Sequence, residues 1–195
     1  WIGSWCLSVG MQAAKVDTLS VHSDAMNKEV QVITICPDKA MAGEKCPVLY
    51  LLHGYGGNAG TWLGIKPELP QIADKEGIIF VCPDGKNSWY WDSPLNKEYR
   101  YETFVSKELV NYIDKNFTTK VERGGRAITG LSMGGHGSLW LSIRHKDVFG
   151  GGGSMSGGLD IRPFPNNWEM KKQLGEEASN KQRWDEHTVI NQLDK

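Results

Sequence analysis

Residues Gly130-Leu-Ser-Met-Gly134 constrain this chain more than any other segment. A short apolar run at 126–129 leads into them, and a helical pattern through Leu139, Trp140 and Ile143 follows to about His145. Strand, sharp turn and helix in that order require small residues at both ends of the turn, because a β-carbon there would hold the helix off the strand it has just left. Gly130 and Gly134 meet that need, and Ser132 is left to project at the helix N-terminus. Free N–H groups and the helix dipole favour a developing negative charge at that point. Gly-x-Ser-x-Gly is a weak signal alone in a chain with 23 glycines. Its strand and helix make it specific.

The remaining periodicity agrees. Residues 17–23 and 29–36 alternate polar and apolar side chains, with Val30, Val32, Ile33 and Ile35 in the second run, and so read as a half-exposed antiparallel pair. Residues 47–52, 78–82 and 126–129 are short and almost wholly apolar, as parallel strands covered on both faces are. Helical patterns over 67–76 and 103–117 separate them, the latter with Val105, Leu109, Tyr112, Ile113 and Phe117 on one stripe. The fold expected is α/β, a doubly wound, mostly parallel sheet with N-terminal antiparallel strands. Residues 150–153 read as a tight turn or strand edge, and 180–195 as an amphipathic helix carrying Trp184, Val189, Ile190 and Leu193.

A chain of 195 residues is long enough for one core without staples. With 22 basic and 23 acidic residues and a net charge of -1, it carries no electrostatic footprint for nucleic acid, and no apolar stretch reaches the length of a membrane span. The first fourteen residues are uncharged and end in small residues before Lys15 and Asp17. They read as the remnant of a secretory signal peptide, with a frayed apolar arm as the other reading. The division expected is therefore a signal remnant over 1–14 and one incomplete domain over 15–195, secreted or periplasmic, with the cytoplasm as the alternative. Cys6 falls in the first segment. Cys36 and Cys46 flank the loop 37–45, where an oxidising compartment would let them pair or leave them as thiols, and Cys82 reads as a small buried hydrophobe. No cysteines have metal-site spacing.

His53-Gly-Tyr-Gly-Gly57 follows directly on the apolar strand 48–52. An α/β-hydrolase takes one oxyanion N–H from this position and the other from the residue after its serine, which here are Tyr55 and Met133. His53 and Gly54 then support the loop, since a histidine at a strand end before a glycine turn orients that turn more often than it acts as base. His136 points along its helix, and His145 sits where its charge suits the helix C-terminus. Trp62, Trp89, Tyr90 and Trp91 form an aromatic set on loops leaving the strand ends. They either stack on a sugar or aromatic acyl group or pack the loops themselves, and Asn87, Ser88 and Asp92 offer polar contacts to a substrate.

Five segments taken together, Leu51-Leu-His-Gly-Tyr-Gly-Gly57, Pro83-Asp-Gly-Lys-Asn-Ser-Trp-Tyr90, Tyr101-Glu-Thr-Phe104, Gly130-Leu-Ser-Met-Gly-Gly-His-Gly137 and Ser154-Met-Ser-Gly157, resemble the esterase D family of α/β-hydrolases. The resemblance runs from about Val16 to Lys195. It implies Ser132 as the nucleophile of a Ser-Asp-His or Ser-Glu-His triad, oxyanion donors at Tyr55 and Met133, and no metal or other cofactor. In such hydrolases the acid and then the histidine follow the serine on later loops, so the resemblance places both beyond Lys195 and the C-terminal strands with them. Asp160 matches a family aspartate that is not the triad acid, and His187 reads as a surface residue. The activity implied is hydrolysis of acyl esters through an acyl-enzyme, with acetyl or feruloyl esters of glycans as substrates. Thioester hydrolysis as in S-formylglutathione hydrolases, acyl transfer, and a non-catalytic glycan-binding remnant are the alternatives.

Overall fold

The computed structural model describes residues 14–194. The proposed signal remnant and Cys6 lie outside the described residues, apart from Ala14, whose N–H donates to Asp74 Oδ2 at 2.7 Å. Among the described residues six strands form one sheet: β1 Lys15–Ser23, β2 Lys28–Cys36, β3 Val48–Leu52, β4 Ile79–Pro83, β5 Arg126–Gly130 and β6 Gly151–Gly152. Their order is β1-β2-β4-β3-β5-β6. The first hairpin is antiparallel and β2 runs antiparallel to β4, whereas β3, β4, β5 and β6 are parallel.

The burial of each strand follows its place. β1 is an edge strand and alternates exposed with covered residues, while all five residues of β4 are buried. Parallel strands are joined by helical crossovers, and those helices cover both faces. Side chains along β3 and β4 therefore divide by alternation. Val48, Tyr50, Leu52, Ile79 and Val81 face the larger core with Trp140 and Phe104, and Leu51, Phe80 and Cys82 face a smaller one with Trp62, Leu69 and Ala73.

Three helical expectations need adjustment. The helix expected over 67–76 spans Leu69–Glu76, with Pro70 near its start and Gly77 closing it at φ +66°. The pattern over 103–117 begins earlier, at Tyr101–Thr103, then widens into a π-helix at Phe104–Leu109 before the α-helix Val110–Asn116. Within that widened turn the Ser106 hydroxyl donates to the Glu102 carbonyl at 2.6 Å, yet Val105, Leu109 and Ile113 still share the buried face. The helix expected over 180–195 is broken. Lys181–Glu186 is helical, Thr188 takes an extended conformation with its hydroxyl on the Trp184 carbonyl at 2.7 Å, and a 3₁₀ turn resumes at Val189–Gln192.

Cys36 and Cys46 are separate buried thiols here, and no disulfide joins them. Cys82 is also buried, and its burial pushes the thiol pKa up to about 12, so it behaves as a small apolar side chain. Between the π-helix and the helix Met133–Arg144, the buried Glu102 accepts hydrogen bonds from Trp140 Nε1, Arg144 Nε and His145 Nε2 at 2.8–2.9 Å. Burial alone would raise its pKa, but these donors outweigh that and keep the carboxylate ionised.

Among the described residues, the main chain approaches a glycine most closely where β5 turns into the helix. A β-carbon at Gly134 would stand 2.1 Å from the Leu52 carbonyl oxygen, and one at Gly130 would stand 2.3 Å from the Gly134 carbonyl oxygen. Neither neighbour is a flexible side chain. Gly134→Ala is therefore expected to cost about 3 kcal/mol or more in urea unfolding. Gly64→Ala, on an exposed helical turn with nothing within 4 Å of the new methyl, should be neutral or stabilising by up to about 1 kcal/mol.

Candidate active site

The turn between β5 and the helix holds Ser132 at φ 54°, ψ −117°, the helix N-cap position. A non-glycine residue in such a conformation costs on the order of 1–3 kcal/mol and persists only when its surroundings enforce it. Here the Ser132 N–H donates to the Met155 carbonyl at 2.8 Å, the Leu131 N–H to the Leu52 carbonyl at 3.3 Å, and the Gly134 N–H to the Leu131 carbonyl at 2.8 Å. The backbone is thus fixed on three sides, while the Ser132 side chain remains exposed. Met133 opens the helix, so its N–H has no acceptor within the helix.

The loop after β3 packs directly on this turn. A β-carbon at Gly54 would lie 3.0 Å from Leu131 Cδ1 and 3.4 Å from Ser132 Cβ. Residues 54–57 form a β-turn closed by the Gly57 N–H on the Gly54 carbonyl at 3.0 Å, with Gly56 at φ +75° as such a turn requires of its third residue. His53 is buried beneath it. Nδ1 donates to the Gly54 carbonyl at 2.7 Å and Nε2 accepts the Gly85 N–H at 2.9 Å, so the main chain occupies both ring nitrogens. This is the geometry of a loop support, and it leaves His53 no lone pair to offer a serine.

Tyr55 and Ser132 both border a cavity of about 200 Å³. Its walls are Trp89, Ile161, Phe164 and Trp168, with Ser156 and Asp160 as polar members. Asp160 is held by a two-pronged ion pair with Arg162, at 2.8 and 2.9 Å, and Arg162 reaches Asp185 at 3.0 Å. These contacts lower the Asp160 pKa. Asp160 is therefore an ionised, tethered wall residue.

Several side chains singled out in the sequence lie elsewhere. Trp62 is buried on the smaller core and donates to the Leu52 carbonyl at 3.0 Å, and Tyr90 is fully buried with its hydroxyl on the His53 carbonyl at 3.0 Å. Neither borders the cavity. Trp89 does, although it is almost wholly buried, with its indole N–H on the Trp168 carbonyl at 3.0 Å. Asn87 bonds protein groups, with Oδ1 accepting the Gly56 N–H and Nδ2 donating to Glu169. Of the two readings of the aromatic set, packing describes Trp62, Tyr90 and Trp91, and Trp89 both packs and faces the cavity. The exposed aromatic surface at the cavity comes instead from Tyr55, Phe164 and Trp168. Phe164 and Trp168 lie in a segment without periodicity. Their one visible signal is two large aromatics in the polar stretch 162–169.

None of the five histidines borders the cavity. His187 is not the surface residue expected. It is half-buried, stacked on Trp140 with centroids 5.7 Å apart, and held by the Arg183 carbonyl at 2.7 Å. His136 is completely buried, edge-on to Trp89 and Trp91 with centroids at 5.1 Å.

Serine at a strained strand-to-helix turn, a glycine turn from the neighbouring strand pressed against it, and a cavity bordered by both form the frame of an α/β-hydrolase site. The family model described as "Putative esterase" matches residues 23–194. This chain belongs to that esterase family. An acetyl esterase from Caldicellulosiruptor saccharolyticus is 29% identical over 151 residues, covering 73% of this chain and 56% of the relative. This chain thus spans little more than half the length of that curated relative. A solved ferulic acid esterase is 28% identical with a TM-score of 0.73, covering 93% of this chain and 71% of the other. The Staphylococcus aureus fluorophosphonate-binding serine hydrolase F superposes with a TM-score of 0.81 at 20% identity, over 94% of this chain and 73% of the other. The fold is that of an α/β-hydrolase.

The buried His136 makes stability depend on pH. Burial lowers its pKa from 6.5 to about 3, and main-chain groups of Trp89 and His187 offset only part of that. The folded protein keeps the ring neutral, so below pH 6.5 the unfolded chain binds a proton that the folded one does not. Stability should fall with acidification from about pH 6.5 towards pH 3, by up to about 1.4 kcal/mol per pH unit. His136→Phe keeps an aromatic ring in the cage and should reduce the loss between pH 7 and pH 5 by about 2 kcal/mol, read from urea midpoints at the two pH values.

Proposed function

We propose that this chain carries the nucleophile and oxyanion site of a serine carboxylesterase. Ser132 Oγ attacks the ester carbonyl and gives up its proton to a base, the N–H groups of Tyr55 and Met133 receive the oxyanion, the ester C–O bond breaks and the alcohol leaves with that proton, and water then hydrolyses the acyl-serine to the free acid and the regenerated Ser132 hydroxyl. The observation that carries the reading is the enforced left-handed backbone of Ser132, exposed on a cavity that Tyr55 also borders. A strained, over-determined residue at a pocket marks a site where the strain positions a reacting group.

The reading assigns the base to none of the five histidines. A serine hydroxyl needs a base within hydrogen-bond reach, and His53 has both nitrogens engaged while His136 is sealed among indoles. As for substrate, the cavity is small and its exposed rings are Tyr55, Phe164 and Trp168, which suit an acyl group with the alcohol left outside. The similarity to an acetyl esterase and a ferulic acid esterase supports acetyl or feruloyl esters of glycans.

In the complete native protein, Ser132→Ala is expected to abolish labelling by a fluorophosphonate probe and to lower p-nitrophenyl acetate turnover by roughly 10⁴ to 10⁶. Turnover and labelling that survive the substitution would place the nucleophile elsewhere.

A further inference from the structure

The turn that presents the Tyr55 N–H is packed at its ends, through Gly54 and Gly57, but open at its tip. A β-carbon at Gly56 would meet nothing within 4 Å, and the Tyr55 ring is 41% exposed. A developing oxyanion gains most from donors held in place before the reaction, because a donor that must be ordered during it gives back part of the gain. One side chain from another segment reaches the tip of this turn. Asn87 Oδ1 accepts the Gly56 N–H at 2.8 Å, one residue from the Tyr55 N–H.

The other end of the same amide is also engaged. Asn87 Nδ2 donates to Glu169 Oε2 at 3.1 Å, while Glu169 Oε1 is taken by Lys172. Glu169 follows Trp168, both residues are in the left-handed region at φ 57° and 49°, and Trp89 Nε1 holds the Trp168 carbonyl. The segment with the exposed cavity wall, Phe164 and Trp168, is thus pinned by two side chains of the 87–89 loop, and one of them also holds the turn beside Ser132.

We propose that Asn87 is a positioning residue for the reaction: it braces the turn bearing the Tyr55 N–H and ties it to the Trp168–Glu169 wall. The inference rests on the serine esterase reading above. An amide suits the position, since it accepts from a main-chain N–H with one atom and donates to a carboxylate with the other. An aspartate would keep the first bond and set two carboxylates against each other. Asn87 therefore acts through the turn, in a place where the sequence alone suggested contact with substrate.

The test uses the complete native protein with Asn87→Ala, Asn87→Asp, and Asn87→Asp combined with Glu169→Gln. Both single variants should lower kcat on p-nitrophenyl acetate roughly tenfold or more, with KM changed by less than about threefold, because a displaced oxyanion donor weakens the transition state and not the ground state. Fluorophosphonate labelling should slow by a similar factor, and amide exchange over 54–57 should quicken. In the double variant the introduced glutamine donates to the introduced carboxylate, so kcat should return to within about threefold of the parent. Unchanged kcat in Asn87→Ala, an effect confined to KM or thermal stability, or a double variant no better than Asn87→Asp would overturn the proposal. Amide exchange separates this failure from that of the parent reading. If the parent protein is not labelled at Ser132, the nucleophile assignment fails, whereas unchanged exchange over 54–57 in Asn87→Ala removes the brace whatever the nucleophile is.

Discussion

The close approach of the β5 turn to the end of β3 governs the rest of the molecule. Gly134 lies so near the Leu52 carbonyl that no side chain fits between them, and the helix Met133–Arg144 can therefore start directly over the sheet. Once that contact is made, Ser132 has nowhere to go but the left-handed region, with its N–H on Met155 and its side chain outward. The strain, of order 1–3 kcal/mol, is small against the packing of a helix whose Met133, Trp140 and Leu141 are all buried.

Two further segments depend on the same junction. The glycine turn after β3 packs on the elbow through Gly54, and the 87–91 loop packs beneath it through Tyr90, whose hydroxyl bonds the His53 carbonyl. The wall at 164–170 then rests on Trp89 and Asn87. The proposed site is built in layers, with the sheet fixing the elbow, the elbow fixing the turn, and loop side chains fixing the wall. The elbow and the turn are held mainly through main-chain carbonyls and N–H groups, whereas the wall is tied to the loop by the Trp168 carbonyl and the Asn87–Glu169 pair.

What could be read in the sequence follows this layering. Strand periods, the elbow and the glycine turn are local matters, and the structure has them where alternation, apolar runs and the 130–134 pattern put them. The fate of loop side chains is not local. Trp89 and Tyr90 both adopt positive φ without a glycine to announce it, which folds the loop back and buries rings that looked available for stacking on a substrate. Asn87 looked like a substrate contact for the same reason, since nothing in its neighbours shows that Gly56 and Glu169 meet there. The π-helix at Phe104–Leu109 keeps Val105, Leu109 and Ile113 buried and so leaves the apolar stripe intact, which hid the extra residue in the turn. The break before Thr188 was hidden likewise, because Trp184 and Val189 are buried on either side of it.

The central claim is that Ser132 and two N–H groups from separate strand ends converge on one oxygen. The most direct measurement is a crystal structure of the complete native protein after reaction with a phosphonate ester, a stable mimic of the tetrahedral intermediate. The account predicts phosphorus bonded to Ser132 Oγ, with one phosphonyl oxygen about 2.7–3.1 Å from both the Tyr55 and Met133 nitrogens and the substituent in the cavity beside Trp168. An adduct on another residue, or an oxygen on Ser132 turned away from both nitrogens, would contradict it.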